Sequence, residues 1–113
     1  MSDDVVVEQQ IQAKGLTAPR VTPDRLDEVI VSEHFFTAAE GARIVPQDSP
    51  LHLLTFCVLV LKNGYTVTGE SACASPENFD AELGRQIARR NAREKIWPLE
   101  GYLLRQRLHE EAA

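Results

Sequence analysis

The chain has 113 residues, 43% hydrophobic and 26% charged, with a net charge of −5. A chain of this length builds one domain around a modest core and has no room for an elaborate catalytic cleft unless copies assemble. The acidic total excludes broad duplex-DNA binding, which needs many phosphate contacts. No apolar run approaches the ~20 residues of a membrane helix, and the start, MSDDVVVEQQ, lacks the basic opening of a secretory signal; the expected location is a cytoplasm.

Residues 1–20 show no clean periodicity. VVVEQQIQ fits a short strand or helix, and AKGLTAPR reads as a linker. A flexible arm, or one that docks on a partner chain, is expected here, followed by a single α+β domain over 21–113. TPDRLDEVI is a short helix, with Thr22 as cap, Pro23 at the first helical position and Asp24 in the first turn. Leu26, Val29 and Ile30 share one face. VSEHFFTAA turns β-like, and EGARIVPQDSP, with Gly41, Pro46 and Pro50, reads as a loop.

LHLLTFCVLVL is almost continuously apolar and rich in strand formers. Asn63-Gly64 closes a hairpin, and YTVTGESA returns with Thr66, Thr68 and Glu70 on one face and Tyr65, Val67 and Gly69 on the other. Gly69 marks a bulge or a close approach by another backbone. A two-residue turn at Asn63-Gly64 would pair Lys62 with Tyr65 and Cys57 with Glu70. Cys57 and Cys73 then fall on opposite faces, so both are expected to be reduced.

Ser75-Pro76 reads as the cap and first position of a long helix. Phe79, Leu83 and Ile87 recur every four residues, and Gly84, Ala88 and Ala92 form a second row whose small side chains permit close packing. Pro98 ends or kinks this helix near Trp97. A second helix, PLEGYLLRQRLHEE, turns Leu99, Leu103 and Leu108 inward. The predicted fold is α+β: a small antiparallel meander of about three strands with an Asn-Gly hairpin, packed against two C-terminal helices. Exposed sheet edges in so small a protein favour a dimer or higher oligomer.

His34, His52 and His109 lie far apart and have no neighbouring ligand at zinc spacing, so no metal is expected. No glycine-rich phosphate loop is present, since GESACASPEN has the wrong spacing. Cys73 lies near a helix start, where a thiol pKa can fall, but no histidine is placed beside it in the chain. No catalytic residue and no cofactor are assigned.

Charge is the sharper signal. Residues 1–80 carry five Lys/Arg against twelve Asp/Glu; residues 81–113 carry seven against five. Arg85, Arg89 and Arg93 form a stripe at four-residue spacing, broadened by Arg90 and Lys95, and Arg105 and Arg107 follow on the next helix. A solvated face is the plain reading. Like charges four residues apart repel, however, at a few tenths of a kcal/mol per pair, and guanidinium groups hold phosphate in bidentate fashion. Asn91 falls on or beside the Leu83–Ile87 row, placed either to read a base or ribose edge or to bond across a dimer. Phe79, Trp97 and Tyr102 are core or stacking residues, with Phe79 the best placed to stack on a base.

NGYTVTGESACASPENFDAELGRQIARRNAREKIWPLEGYLLRQRL resembles a family of small phage and prophage proteins known by phage gene numbers. The likeness covers about residues 52–108. It rests on the ordered set Asn63-Gly64, Thr68-Gly69, Ser71-Ala72-Cys73, Pro76-Glu77-Asn78-Phe79, Gly84, Ala88, Ala92, Lys95, Trp97 and Leu99-Glu100-Gly101-Tyr102. The segment from Glu40 to Pro50 is longer than that family's usual link. Such proteins are in turn similar to Thoeris anti-defence protein one. This implies a non-enzymatic sponge in the host bacterial cytoplasm that holds a cyclic ADP-ribose isomer, or cyclic oligonucleotides of the CBASS system, in pockets at or near chain interfaces of an oligomer. Residue chemistry then nominates Phe79 for a base, Asn91 for a polar edge, and Arg89, Arg93, Lys95 and Arg105 for phosphates. Inhibition of a host protein by direct binding is the alternative; a small hydrolase and a nucleic-acid binder follow it.

Overall fold

The structure is a computed structural model and describes residues 3–113. The chain divides into two compact units, 30–95 and, from its two ends, 1–29 with 96–113.

In the first unit, β1 (Ile30–Thr37), β2 (Leu54–Leu61) and β3 (Thr66–Ala72) form one antiparallel sheet in the order β1-β2-β3. The α+β meander expected from sequence is thus present. Between β1 and β2, where a loop was expected, lie a five-residue helix, α1 (Ala38–Ala42), capped by Thr37, and a 3-10 turn at Pro50–Leu53. Val31 is the extra residue of a bulge in β1 and is exposed.

The hairpin differs from its expected register. Leu61 and Tyr65 flank a three-residue loop, with the Gly64 N–H donating to Leu61 O at 2.9 Å and Gly64 at φ 88°. This is the three-residue hairpin with glycine in the left-handed region. The Asn63 side chain accepts from the Tyr65 N–H at 3.0 Å. Cys57 therefore faces Gly69, not Glu70. The cause is the hydrophobic pattern: the observed register sets Val67 beside Leu59, whereas a slip of one would set Thr68 and Glu70 beside core residues. Both cysteines are free, as expected, for a different reason. Cys73 bonds to Leu53, four residues along the strand from Cys57, or roughly 13 Å, beyond disulfide reach.

The inner face of the sheet carries Thr55, Cys57, Leu59, Leu61 and Val67, all buried. Over it lies α2 (Ala81–Glu94), which buries Ala88 and Ala92. The small-residue row meets Gly69 so closely that a Cβ there would strike the Ala88 carbonyl and the Ala92 backbone N, with the Ala92 Cα at 2.9 Å. The larger row was not chosen for burial: Leu83 is 54% and Ile87 37% exposed. The helix also begins later than Ser75. Pro76–Asn78 is a separate 3-10 turn in which Ser75 makes no capping bond, Phe79 is extended, and Asp80 caps α2 by accepting from the Leu83 N–H at 3.0 Å.

In the second unit, the segment expected as an arm contains α3 (Asp3–Ala13), whose Glu8 carboxylate takes a bidentate pair from Arg20 at 2.7 and 2.6 Å. Next comes α4 (Pro23–Glu28), with Thr22 capping the Arg25 N–H at 3.1 Å. The last helix, α5 (Ile96–Ala112), begins two residues before Pro98. Proline thus occupies the first turn, where no N–H is needed, and the break falls at Lys95 rather than Trp97. Leu103 is 53% exposed, against expectation. Ile96 is buried, and Glu100, Leu104 and Leu108 are half-buried at successive four-residue steps. A charged Glu100 hides that row from a hydrophobic reading; it meets Arg25 at 3.7 Å.

Gly69→Ala should cost at least ~3 kcal/mol or prevent folding, because backbone atoms cannot yield as side chains do. Gly101→Ala, on α5 with no heavy atom near its added Cβ, should stabilise by ~0.5–1 kcal/mol. Urea midpoints of the two variants check both. The Arg20 hydrogen bonds, then that of Gln12, hold the Glu8 carboxyl down at about 2. A depressed carboxylate contributes stability above its ordinary value of 4.5 and loses it as pH falls through about 2. An NMR titration should find Glu8 titrating near pH 2, and near its ordinary value in Arg20→Ala.

Candidate functional site

Close packing fixes the direction of every side chain on α2. Arg89, next to Ala88, reaches Glu33 on β1, with Nε donating to Oε2 at 2.7 Å. Glu33 pairs with Leu59 and so projects from the same sheet face as the helix. Arg85 pairs with Glu82 at 2.8 Å, which lowers the Glu82 pKa. The Asn91 amide donates to Glu70 O at 2.9 Å, covering a carbonyl of the edge strand β3. The stripe that looks uncompensated in sequence thus has carboxylate partners inside the chain for Arg85 and Arg89.

Of the six nominated residues, Arg93 is half-buried, Lys95 is the exposed C-terminal cap of α2, and Arg105 is exposed on α5. Arg89, Asn91, Arg93 and Lys95 line neither of two recesses that meet at Phe79. The structure therefore does not gather the basic residues of α2 around that ring.

Phe79 is half-buried between the 3-10 turn and α2, and both recesses share it with Leu53. The smaller, about 190 Å³, runs along the start of α2 past Thr55, Ser71, Cys73 and Asp80. The larger, about 470 Å³, is walled by Thr37, Glu40, Arg43 and His52. Its size lies within the range of small-molecule sites.

Arg43 has an unusual backbone. Its φ of 73° and ψ of −64° make a γ-turn, closed by the Ile44 N–H donating to Ala42 O at 2.9 Å. A non-glycine residue held there costs of order 1–3 kcal/mol, and such strain clusters at functional sites. Among the described residues the Arg43 guanidinium forms no ion pair. Thr37 and Glu40 are tied twice at the start of α1: the Glu40 N–H donates to Thr37 Oγ1 at 3.2 Å and the Thr37 hydroxyl donates to Glu40 Oε1 at 3.3 Å. His52 Nε2 bonds Pro46 O at 3.1 Å, fixing the ring.

Arg43 and Glu40 lie in a segment whose composition is that of a plain loop, and His52 sits in an apolar run that reads as strand, with no ligand at zinc spacing. A signal was present: Arg43 is the sole Lys or Arg between Arg25 and Lys62. Among the described residues no group of three His, Cys, Asp or Glu side chains is placed to hold a metal ion. No helix among them is long and apolar enough to cross a membrane. Cys73 donates its thiol hydrogen to Ser75 O at 3.2 Å. At Cys57, burial and then the Glu33 charge push the thiol pKa up.

The sequence pattern of the phage protein (N4 Gp49/phage Sf6 gene 66) family matches residues 21–108. The chain belongs to that family. No curated protein and no solved structure matches it. The family's span begins after the Glu8–Arg20 clamp and takes in the whole sheet, both recesses and most of α5.

The Glu33–Arg89 pair is more than one-third exposed on both sides, so its coupling should be ~1 kcal/mol or less. Glu33→Arg with Arg89→Glu should restore most of the stability lost in either single change. A double-mutant cycle in urea checks this.

Proposed function

We propose that this phage protein binds and sequesters a host immune nucleotide second messenger without cleaving it. The favoured ligand is a cyclic ADP-ribose isomer, with cyclic oligonucleotides as a second class. The single observation that carries the reading is the half-buried Phe79 ring at the junction of two recesses, one about 470 Å³. An aromatic face stacks on any base, and Arg43 stands in the same recess with no ion-pair partner among the described residues. For the non-cleaving part, Cys57 is buried with its thiol pKa pushed up, which suits a packing role. The reading places the protein in the host bacterial cytoplasm.

Sequestration demands tight binding: a nanomolar constant is about 12 kcal/mol. Open recesses on one chain leave too much of a ligand in water to supply that readily. Self-association into a dimer or higher oligomer is therefore part of the proposal, so that a second copy encloses the ligand. The exposed edges of β1 and β3 and the exposed Leu83 and Ile87 on α2 offer contact surface. The same exposed apolar residues favour a second reading, inhibition of a host protein by direct binding.

A heat-release assay tests the first reading. The protein is incubated with cyclic ADP-ribose isomers and cyclic di- and trinucleotides, freed of unbound ligand and denatured. Mass spectrometry should then find one intact nucleotide in stoichiometric amount. Cleaved product would replace the sponge with an enzyme, and an empty protein would shift the case to a host-protein partner.

A further inference from the structure

We infer that the recess beside Phe79 is a ribonucleotide subsite, in which Arg43 holds the phosphate and Glu40 the ribose hydroxyls. This inference rests on the nucleotide reading above and deepens it. It moves the phosphate contact from the arginines of α2 to a loop residue.

Charge accounting comes first. Arg85 and Arg89 already face carboxylates, so an anion at either must compete with an existing pair. Arg43 has no such competitor among the described residues, and it lines the cavity that Phe79 also lines. A guanidinium offers two parallel N–H donors to a phosphate. The strained γ-turn residue at the end of α1 is thus also a wall residue of the cavity.

Glu40 then defines the sugar. Its Oε1 accepts from Thr37, which steadies the carboxylate. Its Oε2 takes no hydrogen bond from any described residue. A carboxylate rejects phosphate but accepts two hydrogen bonds from a vicinal diol, as acidic residues do in dinucleotide sites. An anion binder alone would have no use for a carboxylate in the same recess; a ribonucleotide has a use for both charges. His52, whose Nε2 bonds Pro46 O, is a further polar residue on the wall.

The test is isothermal titration of the full chain with cyclic ADP-ribose, and with AMP and its 2′-deoxy analogue as fragments. Arg43→Gln keeps the backbone strain and should weaken cyclic ADP-ribose binding at least 30-fold. Glu40→Gln should weaken it about tenfold. The unmodified protein should prefer AMP over deoxy-AMP, and Glu40→Gln should erase that preference. Arg43→Gly relieves the positive φ, so it should raise the melting temperature while losing binding, which separates the site from the fold. If Arg43→Gln binds as tightly as the unmodified protein while Phe79→Ala does not, the phosphate assignment falls and the nucleotide reading stands. Loss on Arg89→Gln with no loss on Arg43→Gln returns the phosphate to α2 and overturns the inference. If the unmodified protein binds none of the three probes, the subsite inference falls, while the heat-release assay decides the wider nucleotide reading.

Discussion

The contact of Gly69 with Ala88 and Ala92 constrains the 30–95 unit more than any other. A helix lies on a sheet at this distance only where no Cβ intervenes, and the backbone of α2 occupies the space a side chain at Gly69 would need. Gly69 must therefore point inward, which fixes the face of every residue on β3. That choice propagates across the hairpin. Opposite Gly69 stands Cys57, and the loop must hold three residues for the pair to form. Helix packing, strand register and turn type are thus one decision made in three places.

A shallow helix seat also explains the fate of the arginine stripe. With small residues against the sheet, the flanks of α2 come down to the level of the strands, and Arg89 and Asn91 can span to Glu33 and to the Glu70 carbonyl. Larger inward residues would have lifted both out of reach. The repulsion between like charges four residues apart is a few tenths of a kcal/mol, and one partly exposed carboxylate partner is enough to offset it. A positive stripe on an acidic protein is therefore weaker grounds for an external anion than it looks in sequence.

How legible this was depends on the range of the interaction. Thr22-Pro23 at the start of α4, the alternation on β3 and the Gly84–Ala88–Ala92 row are local patterns, and each was readable. The misjudged features turned on partners distant in the chain. Ser75-Pro76 has the composition of a helix start, but Asp80 made the better cap once Phe79 had turned extended to reach the recess. Leu83 and Ile87 have helical spacing, yet Gly69, a residue more than a dozen positions earlier, awarded burial to the alanine row. Leu103 was read inward because a charged Glu100 masked the true row, and only Arg25, far away in sequence, explains Glu100. At the candidate site, Phe79 was legible as an aromatic beside exposed residue types. Arg43 was not, because a γ-turn with a positive φ leaves no compositional mark when glycine does not supply it.

Scaffold and site divide accordingly. The sheet and α2 are locked by contacts that tolerate little change: Arg89 and Asn91 are engaged, Cys57 is buried and the space at Gly69 is filled. The segment between β1 and β2 has the opposite character. It holds a strained arginine with no ion pair and a carboxylate with one oxygen free of hydrogen bonds among the described residues, and an almost fully exposed Ile44 (95%). Folding alone gives no reason to keep such features, since replacing Arg43 with glycine would relieve the strain at little loss of packing. The proposed ribonucleotide subsite accounts for the arginine and the carboxylate together, since it gives the strained arginine a phosphate and the carboxylate a ribose diol beside the half-buried Phe79 ring.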